Sequence, residues 1–518
     1  MRRRGDHGWG ARLVSGIAAA TLLAAPVAVS VAPASAQTPS PSWKERPDPD
    51  QVPEELPARC KSTYRSAVQW KSDVTRVDRD RIVVFDGRTV RIQGAGWRVD
   101  DRKYGSWSLW FHSLVWLVLV AMDDPDLAVE VFMERDRALP DPGSSASKWE
   151  KRETGWTQGQ FRNRLETVTC LYEYTRDERL RPIANRLAAA NMDPRRYPGL
   201  PYKQVHNHGA MSNIALIQAG TIFGVQEWID VALKRLRTDI ADVFEPCGMM
   251  HEQASVYQLH NIKLWEKAAS LLGKELEAPR HALASLVRPD GVLEAIGDGN
   301  PISGLEPSGE PLWCEETGWG AVTTRAGQHL TLRFGPREMD HGHLDHGGIT
   351  WYAAGVPVLS DRGLFDKRRD ERYDFGHGMS AHSVFEPVGF PGYDPDTTAV
   401  NRGDRLFKVS DSRDGITRDR TILLDGNTLK VTDIGSGASS WIQHWQLAPG
   451  WTPTATGAVH DSGATLMLKC DKLKAVRVEH YSDWRVADQA WDLQCRVKPD
   501  GGAARVATTL TVTPAPLP

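Results

Sequence analysis

The stretch Pro301–Gly320, PISGLEPSGEPLWCEETGWG, divides the chain by character. It is rich in glycine and proline, the residues that punctuate periodic elements. On its N-terminal side apolar residues recur at helical spacing. Leu165, Val168, Leu171 and Tyr172 fall at i, i+3, i+6 and i+7. Leu180, Ile183, Ala184 and Leu187 repeat the stripe, followed by Ile229, Ala232, Leu233, Leu236 and Ile240, and then by Ile262, Trp265, Ala269 and Leu272. Such spacing lines one face of a helix with apolar side chains. Short connections between several of these stripes predict antiparallel helical hairpins. Hairpins in series can close into an α/α ring, but the same period fits a bundle or a solenoid.

On the C-terminal side the pattern alternates, as in His329–Phe334, Thr421–Leu424, Asn427–Val431, Ala464–Leu468 and Val506–Val512. Asp425-Gly426 and Asp500-Gly501-Gly502 are turn signals between such runs. Many strands with no helices between them predict an antiparallel sandwich. The chain therefore reads as α+β and multidomain, with helices over residues 58–310 and a β-sandwich over 311–518. At 518 residues it is too long for one ordinary core.

The first residues read as a secretory leader. Arg2-Arg3-Arg4 precede a small, apolar run from Leu13 to Val31, and Ala34-Ser35-Ala36 fits a small-x-small cleavage site. That reading puts a signal peptide at 1–36 and a Pro-rich linker at 37–57, and it competes with a membrane anchor. Pro26 interrupts the run, with Pro33 just beyond it, which favours cleavage. No later span is long enough to cross a bilayer. Trp110–Met122 is apolar but short, carries His112, and is expected as a buried helix. Six cysteines in an oxidising compartment can pair, and Cys470 with Cys495 is the expected bridge in the strand-rich region. The net charge of −3 argues against a nucleic-acid partner. Nineteen tryptophans suit either sugar stacking or packed helices.

Chemistry concentrates at Met339–Gly363, MDHGHLDHGGITWYAAGVPVLSDRG. His341, His343, His346, Asp340 and Asp345 fall within seven residues, and Asp361 and His382 follow. His343, Asp361 and His382 are ligand types that can meet around one Zn²⁺. Two motifs in the helical half add to this. Asn207-His208-Gly209 offers an amide, a titratable ring and a residue that allows close approach. In the stretch from Gly248 to His260, Tyr257 is a phenol that can act as acid or base beside a cation, and Glu252 can be an acid, a ligand or an anchor. Eliminating across a 4-linked uronic acid needs a group that neutralises the C5 carboxylate, a base for the C5 proton and an acid for O4. An amide, histidines and a tyrosine supply all three.

At these residues the chain resembles the heparinase II/III-like polysaccharide lyases, which include alginate and oligoalginate lyases. Asn207-His208-Gly209, Glu252–Tyr257, His341–Gly348, Leu359–Gly363 and Ala381–Ser383 match five family segments in order. The resemblance implies an incomplete α/α toroid followed by an antiparallel β-sandwich. It implies a secreted enzyme that cleaves an acidic, uronic-acid-containing polysaccharide by β-elimination, leaving a 4,5-unsaturated sugar. Asn207 would bind the substrate carboxylate. Tyr257 would be the acid, and the base in a syn elimination. His208 would be the base in an anti elimination, and His341 would assist. Glu252, Tyr373 and Arg372 would contact substrate. His343, Asp361 and His382 would hold one structural Zn²⁺ per chain. Arg333, Arg337 and Arg369 are further candidates for acidic groups. Two other readings compete. His341-x-His343-x-Asp345-His346 also fits a metallo-β-lactamase-like zinc hydrolase, and Glu252 with Asp298 would suit a glycoside hydrolase on the same helical scaffold.

Overall fold

The computed structural model describes residues 52–516 apart from 55, 70–81, 86–87, 93, 99–104, 142–154, 201–203, 336–340, 404 and 471. The expected leader, most of the linker, Arg337 and Asp340 lie outside these residues.

Helices occupy the first part of the chain as the periodicity predicts. The stripe at Leu165–Tyr172 lies on Gln158–Thr175, the next on Arg181–Met192, and the following two on Gln226–Asp239 and Ser255–Ser270. Gln158–Thr175 is fixed at its start by the Gln160 side chain, whose Oε1 accepts from the Thr157 amide at 2.9 Å. It packs on both Arg181–Met192 and Asn207–Phe223. Asn207–Phe223 ends at Gly224, which takes the left-handed conformation (φ 72°) usual for a glycine beyond a helix end.

The Trp110–Met122 run is buried as expected but is not one helix. It divides into Gly105–Ser113 and Leu117–Asp123, with Leu114 at φ 58° between them. The cause is local. The Ser113 hydroxyl donates to the Trp110 carbonyl at 2.6 Å and accepts from the Val115 amide at 3.2 Å, replacing helical partners. No helix among the described residues is long and apolar enough to cross a membrane. Among the described residues ten tryptophans are fully buried, Trp97, Trp107, Trp110, Trp116 and Trp156 among them, so these serve packing rather than sugar contact.

From Leu312 onward the described residues form two antiparallel sheets. One of nine strands runs from Leu312–Cys314 through Trp319–Thr323, His329–Arg333, Ile349–Ala353 and Val356–Leu359 to Trp441–Leu447, Val486–Val497 and Leu473–Asp483, with Phe385–Pro387 also paired to Trp441–Leu447. The other, of eight strands, has Asp396–Arg402 at one edge and Trp451–Thr454 at the other. Asp425-Gly426 closes a hairpin there: Asp425 pairs with Thr428, and Gly426 sits at φ 55°. Inner-face residues of both sheets, including Leu332, Trp351, Ile422, Leu429 and Leu510, share one core.

The helical and β regions are not independent bodies. Leu259, Ile262 and Leu286 pack with Leu312, Trp319 and Ala321 in a common cluster. Cys247–Cys314 bridges the same junction, Cys60–Cys170 ties two helices, and Cys470–Cys495 is the expected pair.

In the nine-stranded sheet His444 is buried between two carboxylates, with Nδ1 2.7 Å from Asp492 Oδ2 and Nε2 2.7 Å from Glu386 Oε2. Burial opposes its charge, but the two carboxylates raise its pKa to about 9. That lies above an unfolded value of about 6.5, so its stabilisation is complete below that pH and is lost as pH rises through the folded value. The wild-type melting temperature is expected to fall more steeply than that of His444→Gln through this alkaline window. Parallel slopes would exclude the charged pair.

Candidate active site

The site forms where the start of the Ser255–Ser270 helix meets the loops of the nine-stranded sheet. The Ser255 amide donates to the Ile296 carbonyl at 2.9 Å, and the Ile296 amide donates to Ser255 Oγ at 3.0 Å. This double link fixes the helix start against Glu294–Asp298. Gln253, just before it, has φ 61° and accepts from the Arg333 guanidinium. Such a conformation is costly outside glycine and is held here by its surroundings.

Tyr257 lies in the first turn of that helix. Its ring stacks on His341, with centroids 3.5 Å apart and planes 17° from parallel. Its hydroxyl accepts from Lys367 Nζ at 2.5 Å. Burial pushes the Tyr257 phenol up, and the Lys367 ammonium opposes that shift. The same contact keeps Lys367 above its ordinary value despite burial. Asn207 is the first residue of the Asn207–Phe223 helix. Its amide nitrogen lies 3.4 Å from Glu252 Oε2, an oxygen that Asn261 Nδ2 also reaches at 2.9 Å. Glu252 is therefore a buried carboxylate engaged by two amides. Burial, with Arg162, His206, His341 and Lys367 nearby, holds His208 well below its usual range, so its ring is neutral at pH 7. Gly209 is needed for close approach, since a Cβ there would meet the Pro198 carbonyl at 2.7 Å.

Below this layer lies Asp298. Its Oδ2 is 3.0 Å from His341 Nδ1, and its Oδ1 is 3.2 Å from His343 Nε2 and 3.1 Å from His377 Nε2. Burial alone would raise its pKa, but bonds from the three imidazoles hold it well below the carboxylate range. His343, Asp361 and His382 are all buried, and one ligand atom from each lies within 4.8 Å of the others. Asp361 Oδ1 also lies 2.8 Å from His382 Nδ1. His343 Nδ1 and His382 Nε2 have no hydrogen-bond partner. Buried nitrogen lone pairs beside a carboxylate fit a zinc-type donor set.

No family model and no curated protein matches the chain. Solved structures do. A heparinase III aligns with a TM-score of 0.67 at 12% identity, over 92% of this chain and 88% of its own. The chain has the heparinase III fold. A mutant of the heparan sulfate lyase HepC from Pedobacter heparinus aligns at a TM-score of 0.58 and 14% identity, over 92% and 86% of the two chains. The chondroitin AC lyase of Streptomyces coelicolor A3, solved with chondroitin sulphate, gives a TM-score of 0.51 at 12% identity, over 90% and 80%.

Within the heparinase III fold the chain brings together Asn207, Glu252, Tyr257, His341, His343, Asp361 and His382. Tyr373 stacks on His377 at 3.8 Å, so it reaches this cluster through that ring. Arg372 is paired with Glu479 at 2.8 Å and lies over the Phe365 ring. Arg333 is buried, with two bonds to the Thr317 and Gly318 carbonyls, and Arg369 is exposed, its guanidinium 5.8 Å from the Tyr373 ring centroid. His346 is bonded to Asp394 at 2.7 Å and belongs to no candidate metal group among the described residues. That arrangement does not favour the dinuclear zinc hydrolase. Glu252 and Asp298 are each held by amides or imidazoles, which does not favour a hydrolytic carboxylate pair. The sequence reading missed Lys367 and His377. Both sit in Asp366–His377, a run of mixed charge whose only signal is its position between the Asp361 and His382 segments.

Gly297 allows two backbone carbonyls to approach closely at the site. It has φ 74°, and a Cβ would lie 2.7 Å from the His341 carbonyl and 2.8 Å from that of Gln253. Gly297→Ala is expected to cost about 1 kcal/mol or more, read as a lower urea midpoint with an unchanged m-value. An unchanged midpoint would show that the junction can relax.

Proposed function

We propose that the chain is a secreted polysaccharide lyase that cleaves a uronic-acid-containing polysaccharide by β-elimination. The observation that carries this reading is the phenol of Tyr257, stacked on His341 and bonded to a half-buried ammonium. A tyrosine so placed can take a proton from carbon and return one to oxygen. The three disulfides support an oxidising, extracellular destination. The antiparallel helical hairpins are read as an incomplete α/α toroid, with the cleft between toroid and sandwich.

In the proposed reaction Asn207 Nδ2 turns from Glu252 to the C5 carboxylate and draws off its charge, which acidifies the C5 proton. A base removes that proton, and the C5–H electron pair becomes the C4=C5 π bond. The C4–O4 bond breaks, and the departing O4 takes a proton to leave as an alcohol. Tyr257 serves as both base and acid in a syn course. Neutral His208 is the base in an anti course, with Tyr257 then the acid. Lys367 stabilises the phenolate, and His341 holds the ring against the substrate. Glu252, which also accepts from the Asn207 backbone amide at 3.4 Å, holds the residue in place as its side chain turns, while Tyr373 and Arg372 form the rim for acidic groups. His343, Asp361 and His382 would hold one Zn²⁺, whose contribution when bound is structural: it cross-links the three loops that carry them.

The deciding measurement is ultraviolet absorbance during incubation with a panel of uronic-acid polysaccharides. A double bond conjugated to the carboxylate absorbs, and a hydrolysis product does not. A rise with at least one substrate is expected, and Tyr257→Phe is expected to abolish it while leaving the fold intact. New reducing ends without absorbance would reject the lyase reading, as would near-normal kcat in the phenylalanine variant.

Lys367→Met tests the cation. Without the ammonium the half-buried phenol ionises less readily. The fall in kcat/KM near pH 7 is expected to be at least about tenfold, a factor that corresponds to one pKa unit. The limb of the pH profile that reports the base is expected to move to higher pH. A profile displaced uniformly downward, with no shift of the limb, would assign Lys367 to packing.

A further inference from the structure

The Asp298 carboxylate stands between two groups of residues with different tasks. On one side is His341, against Tyr257. On the other is His343, one of the three metal-type ligands. We propose that Asp298 is a positioning residue that fixes the ring tautomers of His341 and His343 together, and so couples the metal-ligand set to the reacting centre.

An ionised carboxylate only accepts hydrogen bonds, so each ring nitrogen facing it carries the hydrogen. His341 faces Asp298 through Nδ1 at 3.0 Å, which leaves the Nε2 lone pair for the cleft. His343 faces it through Nε2 at 3.2 Å, which leaves Nδ1, the nitrogen with no partner, for the ion. A ligand histidine whose other nitrogen donates to a carboxylate is held in one tautomer and orientation, and its donor atom becomes more basic. Here one carboxylate does this for a ligand and for an active-site ring at once.

The backbone is built to hold Asp298 there. Its amide donates to the His341 carbonyl at 2.9 Å, so backbone and side chain grip the same residue. Gly297 and Gly299 flank it, at φ 74° and 147°, and a Cβ on the second would meet Val256 at 2.6 Å. The Gly299 carbonyl accepts from the Leu364 amide at 2.7 Å. The segment is wedged between the helix of Tyr257 and the loop after Asp361, and Asp298 is 3% exposed. His377, whose Nε2 is 3.1 Å from the same Oδ1, closes the remaining side. Asp298, His343 and His377 also meet the geometry of a cation site, and a cation there would require the opposite ring state for His343.

The inference rests on the proposed lyase site, but its test does not need turnover. Full-length protein labelled with ¹⁵N-histidine is loaded with zinc and examined by long-range ¹H–¹⁵N correlation, with His341 assigned from the loss of its signals in His341→Gln. The expected result is an Nδ1–H tautomer for His341, an Nε2–H ring for a metal-ligated His343, and one zinc per chain. An Nε2–H tautomer for His341, or a second zinc lost in Asp298→Asn, would overturn the inference. In Asp298→Asn, zinc affinity measured against a chromogenic chelator is expected to fall by about 10- to 100-fold, and the His341 signals are expected to move toward the other tautomer. If zinc affinity and both ring states are unchanged in that variant, the inference is wrong. Should Asp298→Asn fail to fold, the wild-type spectra decide alone. Failure of the lyase reading shows separately, as wild-type protein that cleaves no uronic polysaccharide while these spectra remain as expected.

Discussion

A carboxylate removed from water costs several kcal/mol unless the protein replaces the lost hydration. Asp298 is such a group, and three imidazoles from the β region replace its water. The segment that carries it follows the last helix of the first part and is linked back to the start of the Tyr257 helix through Ser255 and Ile296. Satisfying one buried charge therefore fixes the helical and β regions in one relative position. The apolar cluster around Leu259, Leu286 and Trp319 and the Cys247–Cys314 bridge hold that position but do not aim any side chain. The hydrogen bonds do, because their geometry is directional.

The same economy governs the surroundings of Tyr257. Burial removes the charge from His208 and opposes ionisation of Tyr257, while the Lys367 ammonium stays charged because the phenol oxygen accepts from it. His208, the Tyr257 phenol and the Lys367 ammonium, all half-buried, are the acid/base set of the proposed lyase reaction. Electrostatic effects between them are stronger there than in water. The stacking of Tyr257 on His341 keeps the phenol from turning away.

Much of this was legible in the chain. The period of 3.6 at Leu165–Tyr172 and the alternation at Val506–Val512 encode helix and strand through local geometry, and both appear where expected. Cys470 lies just before Leu473–Asp483, the strand that pairs with Val486–Val497 and so with Cys495, and the strand-rich pattern around both made their bridge readable too. His343, Asp361 and His382 stood out because few other tasks call for those side chains at that spacing. Trp110–Met122 was misread as one helix because composition reports burial but not the Ser113 hydroxyl that interrupts the ladder.

What the sequence determined by itself was the order and type of elements and the list of chemically able side chains, since these depend on local period and residue type. What only the tertiary structure decided was which of those side chains meet. Lys367 looked like one charge in a polar run, and Asp298 looked like half of a hydrolytic pair. The first lies 110 residues from the tyrosine it is bonded to, and the second 43 from His341. Contacts across such separations are set by how helix and sheet pack around a shared core, and no local period carries that information.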